Sequence, residues 1–147
     1  MAESDADAVL VHRALMLMYV ETQIAEVNHA KVMRKVFELM TGDNSAILMA
    51  MSGDALAGTA SVVKTETWFA DAEFFIDKWL WVAPEFRDGG VLRRILEELR
   101  DLASHVGIPV LVTHNKGRQI GKPRSQFERI AEMAIFQPRG LVLGYFP

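Results

Sequence analysis

The stretch Leu80-Trp81-Val82-Ala83-Pro84-Glu85-Phe86-Arg87-Asp88-Gly89-Gly90-Val91-Leu92 sets the reading of the whole chain. Residues Phe74 to Val82 alternate as a strand does. Phe74, Ile76, Leu80 and Val82 point one way and Phe75, Asp77, Trp79 and Trp81 the other, with Lys78 as the exception, so both faces are covered. Pro84 stops the strand, and Gly89-Gly90 makes a tight passage. Beyond it Val91, Leu92, Ile95, Leu96, Leu99, Leu102, Ala103 and Val106 form a helical stripe that Gly107 closes. A strand that runs through a glycine turn into a helix brings several backbone N–H groups to the positive end of a helix dipole. That arrangement holds a pyrophosphate. The glycines permit close backbone approach, and Arg87 adds charge at the rim.

Downstream, Ile108 to Val112 reads as a buried strand parallel to the first, reached through the helical crossover. A helix from about Ser125 to Ala134 and a last strand from Leu141 to Phe146 follow. Upstream, apolar residues crowd a helical face from Val9 to about Val27. Asn28 caps a second helix in which Val32, Val36 and Met40 recur before Thr41-Gly42 ends it. Ala46 to Met51, the turn Ser52-Gly53-Asp54 and the segment Leu56 to Trp68 make a hairpin, with a bend near Ala70-Asp71. The order is mixed α/β with one embedded strand-helix-strand crossover, and a ligand site is expected where the strand end feeds the helix.

Composition narrows the classes. The chain has 147 residues, half of them apolar, which is the size of one domain with a real core. It has no cysteine, so disulfides, thiolate metal sites and cysteine nucleophiles are excluded, and a reducing, cytoplasmic setting is expected. Glu3, Asp5 and Asp7 make the N-terminus acidic where a signal peptide is basic, and Ala14 to Val20 is too short an apolar run to span a bilayer. No membrane role is expected. The net charge of −3 does not indicate nucleic-acid binding. It leaves open a local patch, Lys116, Arg118, Lys122, Arg124 and Arg129, offset only by Glu128, which reads either as a solvated loop or as a contact surface. His12, His29, His105 and His114 are too scattered for a zinc site, and no metal is implied. The motifs of serine hydrolases, phosphate-loop nucleotidases and dinucleotide-binding proteins are absent from the sequence.

The segment Val82 to Leu92 resembles the pyrophosphate loop of the GNAT acetyltransferase superfamily, Gln/Arg-x-x-Gly-x-Gly/Ala after a lead-in such as Val-x-Pro-Glu-Tyr. Arg87 and Gly90 match the first two motif positions, and Val82, Pro84, Glu85 and Phe86 match the lead-in. Leu92 stands where the family has glycine or alanine. Ala131 to Tyr145, containing Phe136-Gln137-Pro138-Arg139-Gly140, is similar to the ending of many short members, with Ala134-Ile135 in place of a glycine. Tyr19-Val20-Glu21-Thr22 and Asn28-x-x-Lys31 are similar to the first helices of phage- and prophage-encoded members.

The resemblance implies one acyltransferase domain over residues 1–147. Its fold would be α/β of the α+β kind, with a mixed, mostly antiparallel sheet and a central strand-helix-strand crossover flanked by helices. It implies acetyl-CoA as donor and an amine as acceptor, either a small molecule or, if the phage likeness holds, a modified nucleobase. The coenzyme would lie along Trp81, Val82, Arg87, Asp88, Gly89, Gly90, Val91 and Leu92, with Asn115 on its pantetheine arm. Backbone N–H groups near Trp81 and Val82 would hold the acyl carbonyl. Asp77 is the carboxylate on that strand best placed as a base, since poor solvation raises a carboxyl pKa; its other reading is a salt bridge or strand-end cap. Glu73 lies four residues earlier, and Glu21 on the first helix is the second candidate. Tyr145 reads either as the acid that protonates the thiolate or as core. Homodimers, common in the family, are compatible with the acidic chain. A second function class stays open: a GNAT-shaped binding module in which Leu92 closes the pyrophosphate site and the loop 116–129 contacts a partner.

Overall fold

The computed structural model describes residues 1–22, 26–66, 71–88, 90–113, 129–131, 134, 136–139 and 142–145. Its elements are α1 (Asp5–Thr22), α2 (His29–Thr41), β1 (Ser45–Ser52), β2 (Ala55–Glu66), β3 (Glu73–Val82), a 3-10 turn (Pro84–Phe86), α3 (Gly90–Val106), β4 (Val110–Thr113), β5 (Gln137–Arg139) and β6 (Val142–Tyr145). One six-stranded sheet has the order β1-β2-β3-β4-β6-β5. Every neighbouring pair is antiparallel except β3 and β4, which α3 joins as a parallel crossover. This is the expected mixed α+β fold. Among the described residues no helix is long and apolar enough to cross a membrane.

Local chemistry explains most boundaries. The Asn28 side chain accepts from the Lys31 N–H at 2.9 Å and starts α2. Gly53, at φ +60°, turns the β1–β2 hairpin. Gly107, at φ +75°, ends α3, with the N–H groups of Gly107 and Ile108 both donating to the Ala103 carbonyl. The first helix differs from the expected span, starting at Asp5 and ending by Thr22, with residues 26–28 non-helical. Its start comes from a reciprocal cap: the Asp7 N–H donates to Ser4 Oγ at 3.2 Å, and the Ser4 N–H donates to Asp7 Oδ2 at 3.0 Å. The expected late helix shows as helical backbone at residues 129–131, and residues 125–128 lie outside the described part. Gln137–Arg139 forms an unexpected strand at the sheet edge, where Pro138 leaves no ladder bond missing inside the sheet.

The sheet is packed on both faces. Under α3, Ile95, Leu96, Leu99 and Ala103 meet Ala60, Val62, Phe75, Val82, Val110 and Val112. On the other face α1 and α2 bury Val11, Leu15, Val36 and Leu39 against Ile47 and Trp79, while Ala14 and Met18 pack on Trp81. Phe75 and Asp77 were expected beside the two indoles, but Phe75 lies on the α3 side and Asp77, paired with Val62 of that core, shares its face. Along β2, Ser61 pairs with Trp79 and the next residue, Val62, with Asp77, so Lys78, the one misfit in the alternation, is the extra residue of a β-bulge. The bulge shifts the phase of the strand between Phe75 and Trp79.

Candidate functional site

The β3–β4 pairing is short. Phe75 pairs with Val110 and Ile76 with Leu111, after which β3 continues to Val82 on β2 while Val112 and Thr113 of β4 stay with β6. The two strands form a fork whose open end faces the turn into α3. Asp77 stands at the crotch: its Oδ1 accepts from the Thr113 N–H at 2.8 Å and from the Thr113 hydroxyl at 2.9 Å, and its Oδ2 lies 3.0 Å from the same hydroxyl. Burial pushes the Asp77 carboxyl above the usual range, and the Thr113 hydrogen bonds pull it part of the way back.

At the open end the Ala83 N–H donates to the Ala57 carbonyl of β2 at 2.9 Å. Successive peptide groups of a strand face opposite edges, so the N–H and C=O of Val82 point toward the fork and those of Trp81 toward β2. The Val82 carbonyl accepts from Arg87 Nε at 2.8 Å. Arg87 Nη2 also meets Glu21 Oε2 of α1 at 2.5 Å. Thus Glu21, Val82 and Arg87, three residues singled out separately in the sequence, come together. Beneath them the Trp81 indole N–H is buried without a partner.

The first turn of α3 is capped from inside the motif, since the Gly90 N–H donates to Asp88 Oδ1 at 3.0 Å. Gly90 is exposed, and a Cβ placed on it would meet only that oxygen, at 3.5 Å. Leu92 is half-buried and packs against the core under α3. Val91 does the same, and a Cβ on Gly58 of β2 would stand 3.0 Å from Val91 Cγ1, Ile95 Cδ1 and the Trp81 carbonyl. Gly58 is therefore what lets α3 lie close on the sheet beside the fork. Sequence reasoning missed Gly58 and Thr113; a glycine in the middle of a Val/Thr-rich strand was the available signal for the first.

Among the described residues, two other expected ones stand away from the fork's mouth. The Tyr145 backbone pairs with Val110, at the closed end, and its side chain lies outside the described part. Glu73 pairs instead with Lys64 at 2.9 Å, far along β3. Gly89, Asn115, Lys116, Arg118, Lys122 and Arg124 lie outside the described residues, and Arg129 is exposed. A cleft of about 360 Å³ opens between the end of α1 and α2, lined by Tyr19, Glu26, Asn28, Lys31 and Lys35 among others.

No protein-family model matches the sequence, and no curated protein does. Solved structures do match in three dimensions. A "probable acetyltransferase" superposes with a TM-score of 0.71 at 14% identity, covering 92% of this chain and 87% of that one. A Desulfovibrio desulfuricans protein described as a "putative acetyltransferase of the GNAT family" gives 0.68 at 17% identity, over 99% of this chain and 95% of that one. The chain has the GNAT fold. A third GNAT-shaped neighbour, a Clostridium acetobutylicum protein described as a predicted acetyltransferase and crystallised with acetyl-CoA, gives 0.65 at 11% identity over 87% and 96%. At these identities the likeness speaks for the architecture. In GNAT terms the strand-Pro-Glu-Phe-Arg turn of this chain is the piece of that architecture on which the sequence resemblance was built, and it stands at the mouth of the fork.

Proposed function

We propose that the chain transfers the acetyl group of acetyl-CoA to an amine. The observation that supports this most is the fork: two parallel strands part beside a helix N-terminus, and the Val82 N–H faces the gap. The residues present fit the coenzyme. The N–H groups of the first α3 turn and Arg87 suit its pyrophosphate, Gly90 leaves the approach open, and Leu92 packs on the core. When bound, acetyl-CoA supplies an acyl group activated as a thioester.

The chain's own tasks follow from that placement. Val82 N–H donates to the acyl oxygen, where negative charge grows during attack. Asp77, held above the ordinary carboxylate range, accepts the proton of the attacking amine directly or through a water, and as the C–S bond breaks that proton returns to the departing thiolate. Its hydrogen bonds to Thr113 leave lone pairs free for that purpose. Glu21, on the helix nearest the turn, is the alternative base. The acceptor is an amine of a small molecule or a nucleobase, and the cleft between α1 and α2 is where this reading places selection among amines.

Isothermal titration of acetyl-CoA into the protein tests the reading. Saturable binding at one site is expected. A flat titration would instead favour the second reading, a GNAT-shaped binding module, because Asp88 already answers the Gly90 N–H and Leu92 replaces a small residue.

A further inference from the structure

Both kinds of donor that the α3 turn would offer a phosphate are answered by carboxylates of the chain itself. Arg87 meets Glu21 at 2.5 Å, and the Gly90 N–H meets Asp88 at 3.0 Å. Glu21 is one helical turn beyond Met18, which packs on the same cluster as Trp81 and Phe86. The ion pair therefore closes the end of α1 onto the end of β3 and the turn that follows. The two partners are 66 residues apart in sequence and belong to different elements, α1 and the turn after β3.

Resting on the acetyl-CoA reading, we propose that Glu21–Arg87 is a latch between α1 and the coenzyme turn, in which Glu21 competes with the incoming phosphates for Arg87. Both side chains are substantially exposed, Arg87 at 46% and Glu21 at 36%, and an exposed pair is weak. A pyrophosphate carries more charge than one carboxylate and also meets the helix terminus, so it wins Arg87 and releases Glu21. Donor binding thereby loosens the last turn of α1 and leaves a bare carboxylate on that helix. The acceptor side is altered only once the donor is in place, which makes Glu21 a positioning residue that orders the two binding events.

The test is a double-mutant cycle read by calorimetry with coenzyme A, on the wild type, Glu21→Gln, Arg87→Gln and the double variant at one ionic strength. Glu21→Gln should bind about three- to tenfold tighter, because its competitor is gone, and Arg87→Gln should bind more weakly than wild type. In the Arg87→Gln background Glu21→Gln should change nothing. Equal or weaker binding by Glu21→Gln, in a wild type that does bind, overturns the latch and leaves the coenzyme reading standing. A gain that persists without Arg87 also overturns it, since it would report only the removal of a negative charge near the phosphates. If none of the four proteins binds, the coenzyme reading fails and the latch with it.

Discussion

Asp77 and Thr113 are joined across the point where β3 and β4 part, the carboxylate of one accepting both the backbone N–H and the hydroxyl of the other. A side chain takes over where the backbone ladder stops, and this holds the fork at a fixed width. Asparagine keeps an acceptor oxygen, so Asp77→Asn should fold as well as wild type, whereas Asp77→Ala should cost about 1 kcal/mol for the lost hydrogen bonds. Burial raises the folded-state pKa of this carboxyl above its unfolded value of 3.8. The stability it contributes is full below that value and is lost as pH rises through the folded pKa. Denaturation midpoints measured against pH should show this decline in wild type and not in Asp77→Asn.

The same substitution separates chemistry from binding. With an acceptor in hand, Asp77→Asn should lower turnover by about 10²–10⁴-fold and leave acetyl-CoA affinity nearly unchanged, the size expected for loss of a general base. Unchanged turnover would move the base to Glu21 or to a water chain and leave Asp77 as the fastener of the fork.

Gly58 makes a prediction about distance. A methyl group there would press on Val91, Ile95 and the Trp81 carbonyl at 3.0 Å each, so Gly58→Ala should destabilise the protein by about 1–3 kcal/mol. It should also weaken coenzyme binding, because the first turn of α3 is what must move. Urea unfolding and calorimetry on the one variant measure both effects.

Leu92 and Gly90 should behave in opposite ways. Half-buried Leu92, cut to alanine, should lose less than the roughly 2–5 kcal/mol typical of a fully buried leucine and should change acetyl-CoA affinity little. Gly90→Val should unfold at nearly the wild-type denaturant concentration, since its Cβ finds ordinary contact, yet abolish binding by covering the helix terminus. A marked gain in affinity on Leu92→Ala would show that the leucine obstructs the site.

At the other end of the chain, the N–H groups of Glu3 and Ser4, with the Ser4 hydroxyl, hold the Asp7 carboxyl below its ordinary range. Its contribution to the start of α1 is present above pH 3.8 and lost as pH falls through the lower folded value. Amide exchange in the first turn should accelerate there before the sheet amides respond. Asp7→Asn should show faster exchange already at neutral pH.

Local signals in the sequence were sufficient for much of this architecture. Asn28, Gly53 and Gly107 each act through bonds or dihedrals within a few residues, and the α3 stripe needs no partner to be recognised from Val91 to Ala103, whereas Val106, read as its last member, is exposed. What stayed hidden depends on distance along the chain. Thr113 is 36 residues from Asp77 and Arg87 is 66 from Glu21, and neither residue type announces such a partner. Ser4 and Asp7 are close, but a serine followed by an aspartate in an acidic terminus reads as solvent-facing until its reciprocal bonds are seen. Pro138 concealed β5 because proline argues against a strand everywhere except at an edge.

Lys78 broke the alternation of β3, and its bulge has a consequence for folding. A regular strand can slide by two residues and still present the same face, so its register rests on side-chain fit alone. A strand with an extra residue cannot. Moving β3 along β2 would carry the unpaired position to an apolar residue and force Lys78 into a ladder pair, so misaligned pairings are penalised while the chain is still searching. The place where β4 leaves β3 is thus set by the register of β3 on β2 and not by any substrate.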